Sequence, residues 1–214
     1  MEYIIIITLI TGFIGPFILL FSTIDYSKIK GIYPFIYIVL IASFYELIFS
    51  YFLKVNVVNW FLVYDILSFG GIHYFFYHLL EKKNRGIFLI LVILFLVLFI
   101  CINFNLTPIS ISNFLIRTSI FKTLQTFIIV FFSILWFRKI FGELEDENLF
   151  NNPNFYFVSG LNVCYAGTVL LFLISHYVHN SNPKALDDFW ILNIIFNLFL
   201  RVSLLVGLWK ARAK

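Results

Sequence analysis

The sequence predicts an all-α, polytopic membrane protein: a bundle of seven transmembrane helices. Two features of its composition predict this class. Of the 214 residues, 62% are hydrophobic and only 12% are charged, about half the charged share of an ordinary soluble domain. The third observation is that the apolar residues form long runs, each close to the 20 or so residues that a spanning helix needs. We therefore expect a single transmembrane domain over residues 1–214.

Seven apolar runs, separated by turn residues and charges, define the predicted spans in chain order. They lie near residues 3–22, 33–53, 59–80, 87–104, 113–137, 154–178 and 189–210. The pair Asn152 and Pro153 is typical of a helix start and precedes the sixth span. The first span has neither a basic leader nor a small-residue cleavage site, so we expect it to be retained.

Lysine and arginine are distributed unequally between the two sides of the predicted bundle. With seven spans, ten of them lie on the side of the C-terminus, whereas only Lys54 and Lys184 lie on the other side. The loops of multi-pass proteins that carry the excess of positive charge are cytoplasmic. The sequence therefore predicts an external N-terminus and a cytoplasmic C-terminus.

Charged side chains inside the spans are the first candidate functional residues, because a charge at membrane depth usually faces a protein interior or a water-filled cavity. Five occur: Glu46, Asp65, Arg117, Lys122 and Arg201. A rotation of about 100° per residue gives spans two, three, five, six and seven one polar face each. We expect spans one and four, which lack strongly polar side chains, to lie outside this polar interior.

The polar faces together predict a ligand-binding cavity that opens to the external side. Among the five charges, three cations face two carboxylates, which implies a bound anion or a neutralised lysine. The alternative is a buried ion-pair network that only fixes helix packing. The predicted ligand-binding residues are Glu46, Asp65, His73, Arg117, Lys122, Gln125, His176, Asn193, Asn197 and Arg201.

Cofactor and metal sites are not predicted. His176 and His179 have the spacing of two metal ligands on one helix, but no third ligand is evident. A haem held by His73 and His176 is disfavoured, because their expected depths differ by roughly 15 Å. Cys101 and Cys164 fall inside apolar runs and are expected to be packing residues.

Catalysis and nucleic-acid binding are disfavoured for separate reasons. Glu46 or Asp65 could act with His73 as acid and base, but no nucleophile or metal arrangement accompanies them, so no catalytic residue is predicted. The net charge of +4 is diffuse, and no basic run is interleaved with aromatic residues on a polar face.

The loop 138–154 is the most highly charged loop on the predicted cytoplasmic side, with an acidic run at 143–147. It is interpreted either as a solvated linker or as a docking surface for a cytoplasmic protein. The predicted partners are therefore membrane lipid and a protein that contacts this loop or the lipid-facing helices.

One set of residues in the C-terminal part of the chain carries a resemblance to other membrane proteins. It comprises Asn151, Asn152 and Pro153, then Phe155, Ser159, Gly160, Tyr165, the run 172–175, Asn193, Asn197 and Leu208, Trp209 and Lys210. This set, which covers about the last 65 residues, resembles uncharacterised seven-helix membrane proteins of Bacteroidota. The resemblance implies a sensory membrane module in a bacterial inner membrane.

These observations favour a receptor-like or sensory protein that binds an anionic or amphiphilic ligand in an outward-facing polar cavity. No predicted loop has room for a catalytic domain, so a signal would pass to a separate partner. The alternative is a non-catalytic accessory subunit of a larger membrane complex. A small transporter is the third interpretation.

Overall fold

The computed structural model describes residues 2–55, 58–80, 85–103, 114–143, 149–181 and 183–212. These residues form helices and no β-strand, and a bridge between Ile24 and Arg212 is their single strand-like pairing. The elements in chain order are α1 (Glu2–Phe21), α2 (Tyr26–Ile29), α3 (Tyr33–Tyr45), a π-helix (Glu46–Phe52), α4 (Val58–Leu79), α5 (Arg85–Asn103), α6 (Phe114–Glu143), a 3₁₀ turn (Leu149–Asn151), α7 (Pro153–Ser181) and α8 (Pro183–Lys210). The predicted all-α class is confirmed for the described residues.

Each predicted span overlaps one long helix, and the main differences are at helix ends. α6 continues to Glu143 rather than ending near 137, and α8 begins at Pro183 rather than near 189. Hydropathy marks only the apolar part of a helix, whereas the backbone stays helical into more polar sequence. At the start of α7, the Asn154 N–H donates to the Asn152 side chain at 3.0 Å, as a helix cap does.

Six helices of the described part are long and apolar enough to cross a membrane. They are Tyr3–Phe21, Tyr33–Phe52, Arg85–Ile102, Thr118–Gly142, Pro153–Ser175 and Trp190–Lys210. α4 has 22 residues but is not in this set, and its interior contains the polar residues Asp65, Ser68 and His73. The chain is therefore a multi-pass helical membrane protein.

Six helices form a closed ring, in which neighbours pack in the order α1, α3, α4, α6, α7, α8 and back to α1. α5 packs outside this ring, against α4 and α6. Its exposed residues include Ile90, Ile93 and Val97, which suit contact with lipid tails. The prediction that span four lies outside the polar interior therefore agrees with the position of α5.

Small residues allow α7 and α8 to approach closely. A side chain at Gly160 would meet Ser203, with the added Cβ only 2.6 Å from the Ser203 Cβ. A side chain at Gly167 would likewise collide with the ring of Phe196. Close approach over small residues is typical of helix pairs in membranes, where backbone packing replaces the hydrophobic effect.

A cluster of buried phenylalanines fills one end of the ring. Phe75 and Phe76 on α4 lie 6.1 Å from Phe157 and 6.0 Å from Phe132, respectively, measured between ring centroids. All four side chains are almost completely buried. This cluster lies at the end of the ring opposite the one where α1, α4, α6 and α8 begin.

The same packed end joins the first interhelical segment to the C-terminal residues. The Asp25 N–H donates to the Ala211 carbonyl at 3.1 Å, beside the bridge between Ile24 and Arg212. The Asp25 carboxylate caps α2 by accepting from the Ser27 hydroxyl at 2.6 Å and from its N–H at 3.1 Å. This hydrogen bonding lowers the pKa of Asp25.

Candidate functional site

A cavity of about 610 Å³ lies inside the ring, at the end where α1, α4, α6 and α8 begin. This volume is within the range of about 300–1,000 Å³ that is typical of small-molecule sites. Its lining residues come from α1, the π-helix, α4, α6, α7 and α8, and they are Ile5, Thr8, Leu9, Glu46, Ser50, Tyr51, Lys54, Phe61, Tyr64, Asp65, Thr118, Lys122, Cys164, Tyr165, Thr168, Phe172, Trp190, Asn193, Ile194, Asn197, Leu200 and Arg201. We call this end of the bundle the cavity end.

The cavity is deep along α8. Its lining on that helix extends from Trp190 to Arg201, which at about 1.5 Å per residue is roughly 16 Å along the helix axis. Trp190 marks the mouth, and Arg201 marks the floor. A half-thickness of hydrocarbon is about 15 Å, so the floor lies near the middle of a membrane that the bundle spans.

One wall of the cavity is aromatic. Tyr64 on α4, Tyr165 and Phe172 on α7 and Trp190 on α8 all line it. The Phe172 and Trp190 rings are 5.9 Å apart at 82°, an edge-to-face contact between α7 and α8. A wall of this kind offers flat apolar surface to the body of a ligand.

An ion pair within this wall connects α4 to α6. The Lys122 Nζ lies 2.7 Å from the Asp65 carboxylate, and both side chains are largely buried. The same ammonium lies 5.7–5.9 Å from the ring centroids of Tyr64, Tyr165 and Phe172. Lys122 thus has its positive charge balanced by a carboxylate and three aromatic rings.

Arg201 forms the floor. It is 9% exposed, and its guanidinium donates a hydrogen bond to the Thr8 carbonyl on α1. The close approach depends on Gly12, one turn further along α1, because a Cβ there would meet the Ser43 side chain and lie 3.1 Å from the Arg201 Nη1. A guanidinium has five N–H donors, and among the described residues the hydrogen bond to Thr8 uses one of them, which leaves donors for a ligand.

The contact with Thr8 corrects one prediction. Span one was expected outside the polar interior, but α1 belongs to the ring and its Ile5, Thr8 and Leu9 line the cavity. The prediction was wrong because it considered side chains alone. A backbone carbonyl is a hydrogen-bond acceptor at every residue, and it needs only a close approach such as Gly12 permits.

The π-helix and the residues just after it supply a second polar wall, formed by Glu46, Ser50 and Lys54 at intervals of four residues. Its wider turn is evident where the Leu53 N–H donates to the Ile48 carbonyl, five residues back, at 2.9 Å. The π-helix ends before Lys54, which has a φ of 52°. No ion pair joins Glu46 to a basic side chain of the described residues.

Two asparagines complete the polar lining above the floor. The Asn197 amide donates to the Asn193 backbone carbonyl at 2.9 Å and to its side-chain oxygen at 3.2 Å. Both residues lie on α8 between Trp190 and Arg201 and line the cavity. They provide neutral hydrogen-bonding groups between the aromatic mouth and the charged floor.

Six of the ten predicted site residues line the cavity: Glu46, Asp65, Lys122, Asn193, Asn197 and Arg201. Gln125 lies behind the aromatic wall, where its amide donates to the Tyr165 hydroxyl at 3.2 Å. The side chains of Arg117 and His176 lie outside the part that the structure describes, as does that of His179.

His73 is not among the residues that line the cavity. Its Nδ1 donates to the Phe69 carbonyl at 2.8 Å, and its ring lies against Phe69 and Phe88. Its Nε2 is buried and has no hydrogen-bond partner among the described residues. His73 therefore packs between α4 and α5, on the outer side of the ring.

Several lining residues were not predicted. Lys54 was assigned to an external loop, yet it continues the series of Glu46 and Ser50, and this spacing was the available signal. The aromatic residues Tyr64, Phe172 and Trp190 gave no comparable signal, because 21% of the sequence is aromatic.

No group of three histidine, cysteine, aspartate or glutamate side chains that could hold a metal ion occurs among the described residues. The lining instead offers hydrogen bonds, two carboxylates, three cations and aromatic surface. Because the Asp65–Lys122 pair is neutral as a unit, Glu46, Lys54 and Arg201 give the rest of the lining a formal charge of +1. This arrangement is suited to binding an organic molecule with a polar end and an apolar body.

Fold and cavity thus define a class: a multi-pass helical membrane protein with a charged and aromatic cavity at one end. No protein-family model matches the chain, and comparisons with curated proteins and with solved structures find no match either.

Proposed function

We propose that this protein is a receptor-like or sensory membrane protein that binds an anionic or amphiphilic small molecule in the cavity. The observation that supports this most strongly is the arrangement of the lining. Arg201 lies at the floor, and the aromatic side chains of Tyr64, Tyr165, Phe172 and Trp190 lie above it. A largely buried arginine such as Arg201 attracts an anionic group more strongly than one in bulk water does. Aromatic surface above it would accommodate the apolar body of the same molecule.

Seven spans are part of the proposal, which adds α4 to the six candidate spans of the described part. α4 lies in the ring between α3 and α6, and its polar Asp65, Ser68 and His73 are buried. Its exposed residues include Val63, Ile66 and Leu67, which are apolar. A helix with polar residues inside and apolar residues outside suits a spanning position despite a modest mean hydropathy.

The proposed orientation places the N-terminus and the cavity mouth outside the cell and the C-terminus in the cytoplasm. The support is the ten-to-two distribution of lysine and arginine, which assigns the end opposite the cavity to the cytoplasm. The resemblance to membrane proteins of Bacteroidota supports a bacterial inner membrane. A signal would then pass to a protein at loop 138–154, whose residues 144–148 lie outside the described residues.

A thermal-stability screen of the purified protein in lipid nanodiscs tests the binding proposal. The probes are indole-3-acetate, phenyl phosphate, dodecanoate and inorganic phosphate, compared on the intact protein, Arg201→Gln and the matched control Arg138→Gln. Arg138 is exposed near the end of α6, far from the cavity. We expect an organic anion to raise the Tm of the intact protein and of Arg138→Gln but not that of Arg201→Gln. No shift with any probe would contradict the proposal.

An accessory subunit is the second candidate, and the position of α5 favours it. α5 lies outside the ring and exposes Ile87, Ile90, Ile93 and Ile100, a surface that another membrane protein could cover. This candidate predicts that a second membrane protein co-purifies with this one in fixed stoichiometry after mild solubilisation. Replacing Ile90 and Ile93 by alanine should abolish that co-purification. A monomer that binds an organic anion would instead favour the receptor.

A further inference from the structure

Two charges of opposite sign line the cavity from different helices. Arg201 projects from α8 and Glu46 begins the π-helix. No ion pair joins these two side chains. The cavity therefore presents one cationic and one anionic group to the same space.

Among the described residues, Asp65 and Lys122 are the other buried charges of the lining, and they balance each other. Lys122 is bound to Asp65 at 2.7 Å and lies close to three aromatic rings, so neither member of this pair has a charge left for a ligand. Lys54 also lines the cavity, but it is exposed, and water screens its charge. Arg201 and Glu46 are thus the lining charges of the described part that are neither paired nor exposed.

A ligand with only a negative charge would bind here less tightly than one that carries both charges. Bound to Arg201, it would offset the positive charge that stabilises the Glu46 carboxylate, which would then lie beside a second anion in a poorly solvated space. A carboxylate without a compensating charge in such a place is costly. A ligand that also bears an ammonium group would supply the missing positive charge to Glu46.

On these grounds, and resting on the proposed function, we infer that the cavity binds a zwitterionic amphiphile: a molecule with a primary ammonium group for Glu46, an anionic group for Arg201 and an apolar body. The Asn193 and Asn197 side chains lie beside the floor and would hydrogen-bond the polar part. Phe172 and Trp190 would contact the apolar body nearer the mouth.

Two sources share this chemistry: short peptides with aromatic side chains, and lysophospholipids with an ethanolamine headgroup. Each has a matched analogue without the positive charge. For the dipeptide Phe-Phe the analogue is N-acetyl-Phe-Phe, and for lysophosphatidylethanolamine it is lysophosphatidic acid. Phe-Phe amide, which lacks the carboxylate, completes the peptide series.

Equilibrium binding to the full chain in nanodiscs, with empty nanodiscs as the blank, tests the inference. In at least one series we expect the zwitterion to bind at least tenfold more tightly than its anionic analogue. Glu46→Gln should abolish this preference, whereas Arg201→Gln should weaken both compounds. Asp25→Asn, at the opposite end of the bundle and still able to cap α2, is the charge-matched control and should preserve the preference.

The outcomes separate this inference from the proposed function. If the anionic analogues bind as tightly as the zwitterions in both series, the inference is overturned while the receptor proposal stands. A preference for the zwitterion that persists in Glu46→Gln also overturns it, because the ammonium group is then recognised elsewhere. Absence of saturable binding by every compound overturns the inference, and the separate screen with simple anions then decides the proposed function.

Discussion

The Lys122 ammonium lies 2.7 Å from the Asp65 carboxylate and connects α6 to α4 along one wall of the cavity. These two helices make few other contacts with each other, and α4 is not among the six helices of the described part that are apolar enough to cross a membrane. The pair therefore fixes the position of the helix that contributes Tyr64 and Asp65 to the cavity. We therefore expect this pair to stabilise the bundle, whereas Arg201 is the residue proposed to bind the ligand.

Removing one member of this pair should destabilise the protein strongly. Asp65→Asn or Lys122→Gln would leave an uncompensated buried charge, at a cost of about 3 kcal/mol. The double variant Asp65→Asn with Lys122→Gln should lose less stability than either single variant, because no charge is left unpaired. Thermal unfolding of all three in nanodiscs measures this. Additive losses would show that the two residues act independently.

Gly12 should be required for the geometry of the floor. Gly12→Ala would push its Cβ against Ser43 and the Arg201 guanidinium, so we expect a lower Tm and loss of ligand-induced stabilisation. Gly70→Ala is the matched control, since a Cβ at Gly70 has no neighbour within 4 Å among the described residues. That variant should be neutral or more stable by up to about 1 kcal/mol. Equal effects of the two substitutions would refute the role of Gly12.

The hydrogen bond from Gln125 to Tyr165 should hold the aromatic wall in place. Tyr165→Phe would leave the 1% exposed Gln125 amide without its acceptor, at a cost of about 1–3 kcal/mol. Adding Gln125→Leu should recover part of that loss, because the unpaired amide is then removed. Chemical or thermal unfolding of the single and double variants gives the comparison. A double variant less stable than Tyr165→Phe would contradict this account.

The helices could be predicted well because their apolar runs are long. The polar faces of α4, α6 and α8 followed from helical periodicity, and the cavity does include Asp65, Lys122 and Arg201. Periodicity assumes 3.6 residues per turn, however, and the π-helix changes that spacing after Glu46. Lys54 itself was missed because the second span was predicted to end near residue 53, which placed Lys54 in an external loop.

Other features of the site were beyond prediction for physical reasons. The Thr8 carbonyl that accepts from Arg201 has the same chemistry as every other backbone carbonyl. His73 and Gln125 belong to polar helix faces. A polar face can line a cavity or pack against a neighbouring helix, and periodicity alone does not distinguish these two positions. His73 contacts phenylalanines, and Gln125 contacts Tyr165.

Membrane orientation can be tested with single cysteines introduced after Cys101→Ser and Cys164→Ser. We expect Lys54→Cys to react with a membrane-impermeant maleimide in intact cells. Lys28→Cys, whose native side chain is 52% exposed at the opposite end, should react only after permeabilisation. Reaction of both in permeabilised cells is the control for accessibility. Reaction of Lys28→Cys in intact cells would contradict the proposed orientation.

The most direct test of the central claim, that the cavity is a binding site, is to fill it. Asn197→Trp would place a large side chain inside the cavity, whereas Leu192→Trp on the same helix replaces a side chain that is 45% exposed. The measurement is the equilibrium affinity of the organic anion that most stabilises the intact protein. The account predicts at least a tenfold loss for Asn197→Trp and an unchanged affinity for Leu192→Trp. Equal affinity in both variants would contradict it.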